Sequence, residues 1–245
     1  MPAQPILNLS AYKFVNLQDL PVLRGQILKQ AVEHDLKGTV LLAEEGINLF
    51  VAGPQAGARS WLAWLKSDAR FSDLVPKESF SAAIPFKRML VKVKHEIIRM
   101  NQPAVRPLHG RAPSVAPRTL ARWLAQGHDD EGRPVVTLDT RNAFEVDAGA
   151  FEGAVDWRLG KFSDFPAALK AHCEQLAGKT VVSYCTGGIR CEKAALVMQA
   201  EGLHAYQLEG GILKYFEETA GAPHWRGSCF VFDERVALDP QLKPA

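Results

Sequence analysis

The sequence lacks a hydrophobic run long enough to span a bilayer, which takes about 20 apolar residues. Its first residues lack the basic start and apolar core of a secretory signal. Cysteine is scarce, with four residues in 245 and no CxxC pair, which argues against a disulfide scaffold. We therefore expect a cytoplasmic protein with free thiols and no membrane partner.

Signatures of bound cofactors are also missing. The histidines are isolated, and no HExxH or comparable metal-ligand spacing occurs. There is no GxGxxG fingerprint for a flavin or a nicotinamide. The sequence thus predicts no metal site and identifies no cofactor.

Acidic residues are nearly absent from residues 86–118, where eight lysines and arginines face a single acid, Glu96, although the net charge of the chain is only +2. Such a stretch is compatible with a polyanionic partner such as nucleic acid. A solvated strand and linker is the alternative, and charge alone favours it. The residues that would contact RNA are Lys87, Arg88, Lys92, Lys94, Arg99, Arg106 and Arg111.

Proline is dense in the same region, with four residues between 103 and 117 and no sustained periodicity. Proline at this density favours extended chain and resists helix. We therefore predict an N-terminal domain over residues 1–98, a Pro-rich basic linker over 99–118, a second domain over 119–220 and a C-terminal segment over 221–245.

Apolar spacing predicts alternating elements in the first domain. Strands are expected at 11–16, 39–43, 47–52 and 89–94, with one helix starting near Leu20 and a second containing Trp61 and Leu65. The order strand, helix, strand, strand, helix, strand matches a ferredoxin-like α+β domain whose last strand is 89–94. A less regular α+β domain is the alternative.

The second domain predicts an α/β fold. Short apolar strands at 135–139, 155–157, 180–184 and 205–208 alternate with helices near 119–126, 163–177, 191–201 and 211–219. This alternation is typical of a parallel sheet covered on both faces. The fold class is therefore α/β overall, with a ferredoxin-like α+β domain followed by an α/β domain with a parallel sheet.

A cysteine stands at the carboxyl end of the predicted strand 180–184, where ligands bind in open α/β sheets. Loop N–H groups, a helix N-terminus and an arginine would favour its nucleophilic thiolate. A packed structural cysteine would explain neither the paired glycines nor the arginine. We predict that Cys185 is catalytic and that its anion cradle consists of Thr186, Gly187, Gly188, Ile189 and Arg190.

The loop length indicates sulfur chemistry. Four residues separate Cys185 from Arg190, one fewer than in phosphate-transferring cysteine enzymes, and the preceding residue is Tyr184 rather than histidine. A smaller ring fits a sulfur atom better than a tetrahedral phosphate. Sulfur chemistry is therefore favoured over a phosphatase.

Other residues near the loop are assigned supporting roles. Asp139 and Arg141 flank the turn after strand 135–139 and are expected to brace the loop by hydrogen bonds. Cys191 either resolves an oxidised or persulfidated Cys185 or packs as a small residue in the first helical turn. Glu145 either pairs with a loop donor or lies on a solvated face.

Residues 119–219 resemble a rhodanese domain through LDTRNAFEVDAGAFEGAVD at 138–156, CTGGIR at 185–190 and LEGGI at 208–212. The complete chain resembles the bacterial oxygen-dependent tRNA wobble-uridine hydroxylases, rhodanese-domain proteins formerly designated UPF0176. Three segments carry this resemblance, LLAEEGINLFVAG at 41–53, CTGGIRCEKA at 185–194 and GSCFVFDERV at 227–236.

The resemblance implies a ferredoxin-like (acylphosphatase-like) domain followed by a rhodanese domain. It implies that Cys185 is essential, with a persulfide as one form of its chemistry. It further implies formation of 5-hydroxyuridine at the wobble position of tRNA, with tRNA as partner and molecular oxygen as co-substrate.

Two rival hypotheses stay open. One is a rhodanese-type sulfurtransferase that takes sulfur from a donor and passes it to a small molecule or a protein thiol. The other is a binding module built on a degenerate rhodanese domain, against which the intact Cys185 and Arg190 argue.

Overall fold

The computed structural model describes residues 5–245, so residues 1–4 of the first predicted domain lie outside the described part. The chain divides into two compact units, Met1–Ile98 and Arg99–Ala245. Within residues 5–245, none of the helices combines the length and the apolar character that crossing a membrane requires.

The first unit is a five-stranded sheet with two α-helices packed against it. Its elements are β1 (Ile6–Phe14), α1 (Leu20–Glu33), β2 (Lys37–Ala43), β3 (Gly46–Pro54), α2 (Gln55–Ser67), β4 (Lys77–Ser81) and β5 (Met89–Val93). Apolar residues at helical spacing bury one face of each helix, with Leu23 and Ile27 on α1 and Trp61 and Leu65 on α2. These side chains join the inward-facing strand residues in one core.

The sheet order β4-β1-β3-β2-β5 corrects the sequence prediction for the closing strand. β4 pairs antiparallel with β1 and completes the ferredoxin-like arrangement. β5, which we expected in that place, pairs in parallel with β2 at the opposite edge. β4 has the sequence KESFS and none of its residues is buried, so no apolar alternation marks it.

The second unit is built on a four-stranded parallel sheet in the order β6-β10-β9-β7. Its first elements are β6 (Ser114–Val115), α3 (Pro117–Gln126), β7 (Val135–Asp139), α4 (Ala143–Val146), β8 (Gly149–Phe151) and α5 (Phe165–His172). They are followed by β9 (Thr180–Tyr184), α6 (Ile189–Ala200), β10 (His204–Leu208), α7 (Gly211–Glu218), β11 (Trp225–Gly227), β12 (Cys229–Phe230) and β13 (Ala237–Leu238).

Short strands account for most differences from the sequence prediction in this unit. Part of the predicted linker forms β6, and the predicted C-terminal segment contains β11, β12 and β13, of which β11 pairs with β8. The expected strand at 155–157 is reduced to a single bridge between Leu138 and Val155. Strands of two or three residues are too short for periodicity to reveal.

The topology brings three loops to one edge of the parallel sheet. β9 is fully buried and lies between β7 and β10. Because parallel strands end at the same edge, the segments after Asp139, Tyr184 and Leu208 meet there. Those segments carry Arg141, Cys185 and the glycine turn before α7.

Candidate active site

The Cys185 loop is a tight turn that ends in a helix N-terminus. The Gly188 N–H donates to Cys185 Sγ at 3.1 Å, and the Arg190 N–H donates to the same sulfur. Gly188 has a φ of +100°, a conformation that glycine adopts without Cβ strain. α6 begins at Ile189, earlier than predicted, so Ile189 and Arg190 belong to its first turn. The sulfur therefore lies at the positive end of a helix.

The first turn of α7 supports this loop. Ile212 donates its N–H to the Cys185 carbonyl at 2.9 Å, and Leu213 donates to the Thr186 carbonyl at 3.1 Å. A Cβ at Gly211 would lie 2.4 Å from the Cys185 carbonyl oxygen, and φ there is +66°. The close approach of the two backbones explains why the second glycine of the LEGGI segment, Gly211, has no side chain.

The electrostatic surroundings of Cys185 favour its thiolate. Burial raises its pKa, because the residue has no accessible surface. A hydrogen bond from Cys191, the charge of Arg190 and the two N–H groups outweigh burial, and the pKa of Cys185 falls below that of a free thiol. For Cys191, burial and the neighbouring Cys185 both raise the pKa, so it stays a protonated donor. Sequence reasoning left open whether Cys191 faces the sulfur, and the structure places it there.

Arg190 is held by a buried carboxylate. Its two terminal nitrogens donate to the two oxygens of Glu145, both at 2.7 Å. Glu145 has no accessible surface and Arg190 is also buried. The guanidinium thus acts on the sulfur through its charge, while its hydrogen bonds go to Glu145. Of the two sequence interpretations of Glu145, the ion pair is the one present.

Asp139 and Arg141 form a second buried ion pair beside the first. Arg141 Nε lies 2.9 Å from Asp139 Oδ1, and Nη2 lies 2.6 Å from Oδ2. The Arg141 guanidinium also donates to the Glu145 carbonyl at 3.1 Å and to the Gly149 carbonyl at 2.6 Å. Arg141 therefore fixes the backbone of the residue that holds Arg190, a geometry consistent with the predicted bracing.

The thiolate is covered in this structure. Cys185 has no accessible surface, and Thr186 and Ile189 are each only 8% exposed. A substrate atom reaches the sulfur only when neighbouring groups move aside. The other two cysteines lie outside the loop, with Cys229 buried and Cys173 partly exposed.

The predicted RNA-contacting residues divide between the two units. Lys87, Arg88, Lys92 and Lys94 are exposed in the first unit, and Arg99 and Arg106 are exposed in the second. Lys92 and Lys94 are two positions apart along β5 and its extension, so they point to the same face.

Arg111 has a structural partner. Its Nε lies 3.1 Å from Oε2 of the buried Glu192, which also accepts a hydrogen bond from Gln207. Glu192 therefore neutralises part of the Arg111 charge within the second unit. Sequence reasoning missed this ion pair because the two residues are far apart along the chain. Among residues 5–245, no three side chains of the histidine, cysteine and acidic types are grouped to hold a metal ion.

Comparisons with known proteins identify both units. Residues 6–97 match the family described as UPF0176 acylphosphatase like domain, and residues 120–218 match the Rhodanese-like domain. These matches confirm the predicted fold class of a ferredoxin-like domain followed by a rhodanese domain.

Full-length relatives are closely similar. A protein of Bordetella petrii named tRNA uridine(34) hydroxylase is 64% identical over 246 residues, covering 100% of this chain and 96% of that protein. A protein of the same name from Delftia acidovorans is 64% identical, covering 97% of this chain and 90% of that protein. A third, from Variovorax paradoxus, is 62% identical, covering 98% and 91%. The resemblance noted from the sequence is confirmed.

Proposed function

The chain belongs to the tRNA uridine(34) hydroxylase family, and we propose that it hydroxylates the wobble uridine of tRNA to 5-hydroxyuridine, with molecular oxygen as co-substrate and a two-electron reductant that converts the second oxygen atom to water. The observation that carries the proposal is the Cys185 thiolate in its N–H cradle, in a chain 64% identical to a protein of that name over its full length.

Each residue of the cradle has a defined task in this proposal. Cys185 supplies the reactive sulfur, either as thiolate or, after transfer from a sulfur donor, as persulfide. The N–H groups of Gly188 and Arg190 hold negative charge at that position, and the same donors would stabilise a persulfide anion. Glu145 and Arg141 position Arg190, and Cys191 donates to the sulfur or resolves its oxidised form.

The tRNA would be held by exposed cations. Lys87, Arg88, Lys92, Lys94, Arg99 and Arg106 are exposed, and contacts of lysine and arginine with phosphates supply salt-sensitive affinity. Arg111 contributes less, because Glu192 already neutralises part of its charge. We expect this activity in the cytoplasm, where tRNA is found.

A sulfurtransferase is the second candidate. The rhodanese match over residues 120–218 supports it, but the names of the full-length relatives favour the hydroxylase. Turnover of thiosulfate with cyanide by the purified protein measures this alternative directly.

Nucleoside mass spectrometry of tRNA tests the proposal. In a strain lacking the gene, the wild-type protein and the Cys173→Ser variant should restore 5-hydroxyuridine, and Cys185→Ala should not. Cys173 is the matched control because it is a cysteine outside the loop. The proposal is wrong if the wild-type protein restores no 5-hydroxyuridine, or if the Cys185→Ala variant restores it.

A further inference from the structure

Three phenylalanines from two distant segments form an aromatic patch in the second unit. Phe144 lies 5.1 Å from Phe230 and 6.4 Å from Phe232 between ring centroids, and Phe230 lies 5.3 Å from Phe232. All three contacts are edge to face, an arrangement favoured by the ring quadrupoles.

The patch is open to solvent, unlike the aromatic core beside it. Phe144 is 49% exposed and Phe232 is 55% exposed. In the same unit, Phe151, Tyr184 and Trp225 also pack edge to face, yet they are buried. Exposed rings held in a fixed arrangement are typical of a binding surface.

The patch is linked to the Cys185 loop at two points, once by a hydrogen bond and once through the residue next to Phe144 in the chain. Thr186, next to Cys185, donates its hydroxyl to the Phe230 carbonyl at 3.4 Å. Phe144 directly precedes Glu145, the carboxylate that binds Arg190. The patch therefore adjoins both ends of the loop that carries the reactive sulfur.

Backbone hydrogen bonds and an ion pair hold the second segment of the patch. Phe230 belongs to β12, which pairs with β13, and the Val231 N–H donates to the Val236 carbonyl at 2.9 Å. A largely buried ion pair between Asp233 and Arg235, 2.6 Å between Oδ2 and Nη2, closes the hairpin. Ordered rings lose little freedom on binding a ligand, which favours affinity. The cysteine chemistry leaves the GSCFVFDERV segment at 227–236 without a role. A binding surface formed by this segment would give it one.

We propose that Phe144, Phe230 and Phe232 are the surface on which the unpaired wobble base of the tRNA stacks beside Cys185, an assignment that rests on the proposed function. Proteins recognise bases of single-stranded RNA loops by stacking them on aromatic side chains. A base has a flat apolar face that matches an exposed phenyl ring, and stacking contributes sequence-tolerant affinity. The phosphate contacts supplied by exposed cations would then be complemented by one base contact near the sulfur.

A binding experiment isolates the stacking contribution. Two anticodon stem-loop RNAs are compared by fluorescence anisotropy, one with uridine and one with an abasic site at the wobble position. The wild-type protein should bind the uridine RNA about tenfold more tightly, the effect of one stacked base. The Phe144→Leu/Phe232→Leu double variant should bind the two RNAs equally, because leucine keeps apolar volume but has no ring. Phe144→Tyr/Phe232→Tyr should retain the difference.

Phe80→Leu is the matched control. Phe80 is a half-exposed phenylalanine on β4 in the first unit, and its replacement should leave the uridine preference unchanged. The proposal is overturned if the wild-type protein does not discriminate the two RNAs, or if the leucine double variant, folded by circular dichroism, discriminates as well as wild type. It is also overturned if the leucine variants change the sedimentation of the protein but not the RNA preference, since the patch would then be an interface between copies.

Nucleoside mass spectrometry separates failure of this inference from failure of the proposed function. If the wild-type protein forms 5-hydroxyuridine and the leucine double variant forms it with the same kcat/KM, the stacking surface is wrong and the hydroxylase stands. If the wild-type protein prefers the uridine RNA, the leucine double variant loses that preference and the wild-type protein forms no 5-hydroxyuridine, the stacking surface stands and the hydroxylase is wrong.

Discussion

Cys185 combines two properties that normally oppose each other, complete burial and a lowered pKa. Removing a thiolate from water costs free energy, and burial alone would leave a neutral thiol. Two N–H groups, the Cys191 thiol and the Arg190 charge replace the lost water around the sulfur. The reactivity of this residue is therefore a property of its neighbours.

Removal of the Cys191 donor should raise the pKa of Cys185. The thiolate of wild type persists below the ordinary thiol range, about 8.5, because its pKa is lowered in the folded protein. Cys191→Ala removes a donor to the charged form, so protonation should occur at higher pH. Ultraviolet absorbance of the thiolate during a pH titration measures the midpoint.

Cys191→Ser is the control for that titration, since its hydroxyl still donates a hydrogen bond and should keep the midpoint closer to wild type. Cys185→Ser supplies the blank. A midpoint that is the same in Cys191→Ala and wild type would show that Cys191 does not support the thiolate.

Glu145 should be important for stability because its loss leaves Arg190 buried without a counter-ion. Glu145→Gln should lower the free energy of unfolding by about 3 kcal/mol, the cost of breaking a buried pair by removing one partner. Urea denaturation measures the change. Glu152→Gln, which disrupts an exposed pair with Arg226, should change it far less, because water and salt screen exposed charges. Equal effects of the two variants would contradict the structural role of Glu145.

Among the elements, the first turn of α7 supports the Cys185 loop through backbone contacts alone. Its two N–H groups bind the carbonyls of Cys185 and Thr186, and there is no room for a side chain between them. The loop after β9 therefore depends on a turn more than twenty residues later in the chain.

Gly211→Ala should disturb this support. Both Gly211 and Gly202 have positive φ, so alanine costs about 1–2 kcal/mol of backbone strain at either position. At Gly202 a Cβ meets nothing within 4 Å, whereas at Gly211 it meets the Cys185 carbonyl at 2.4 Å. Gly211→Ala should therefore lose a further ~1–3 kcal/mol of stability from overpacking and also lose activity.

Thermal unfolding and 5-hydroxyuridine formation, measured for Gly211→Ala and Gly202→Ala together, check this expectation. Gly202→Ala should keep near wild-type activity, because it lies away from the loop contacts. If both variants lose activity to the same extent, backbone strain alone accounts for the effect and the supporting contact is unimportant.

For the complete chain, charge distribution predicts how the protein would hold tRNA. Each phosphate contact removed lowers the slope of log affinity against log salt by about 0.7–0.9. Lys92→Gln/Lys94→Gln should therefore weaken tRNA binding and flatten its salt dependence, because both lysines are exposed on one face of β5 and its extension. Binding measured across a salt series gives the slope.

Lys29→Gln is the control for the salt series. Its side chain is 74% exposed on α1 and it contributes the same formal charge. Lys29→Gln removes one charge and the double variant removes two, so a change of slope half as large in Lys29→Gln would mean that net charge, rather than a contact at β5, governs the affinity.

Local patterns were sufficient to identify several features of the chain. Helical spacing of apolar residues predicted α1 and α2, and short apolar runs predicted β2, β3, β7 and β9. These signals lie in neighbouring residues of the sequence. The order of residues 180–190 predicted a strand, a cysteine loop and a helix, because these contacts are made within a few positions. The family resemblance also followed from contiguous segments.

Contacts between distant segments could not be read in this way. Glu145 binds Arg190 across 45 positions, Phe144 contacts Phe230, and Arg111 binds Glu192, all through the folded topology. β4, which apolar spacing did not predict, takes the edge position beside β1 that we expected for β5, because an exposed edge strand carries no apolar alternation. Sequence order sets which local elements can form, whereas sheet pairing and burial select which distant side chains meet.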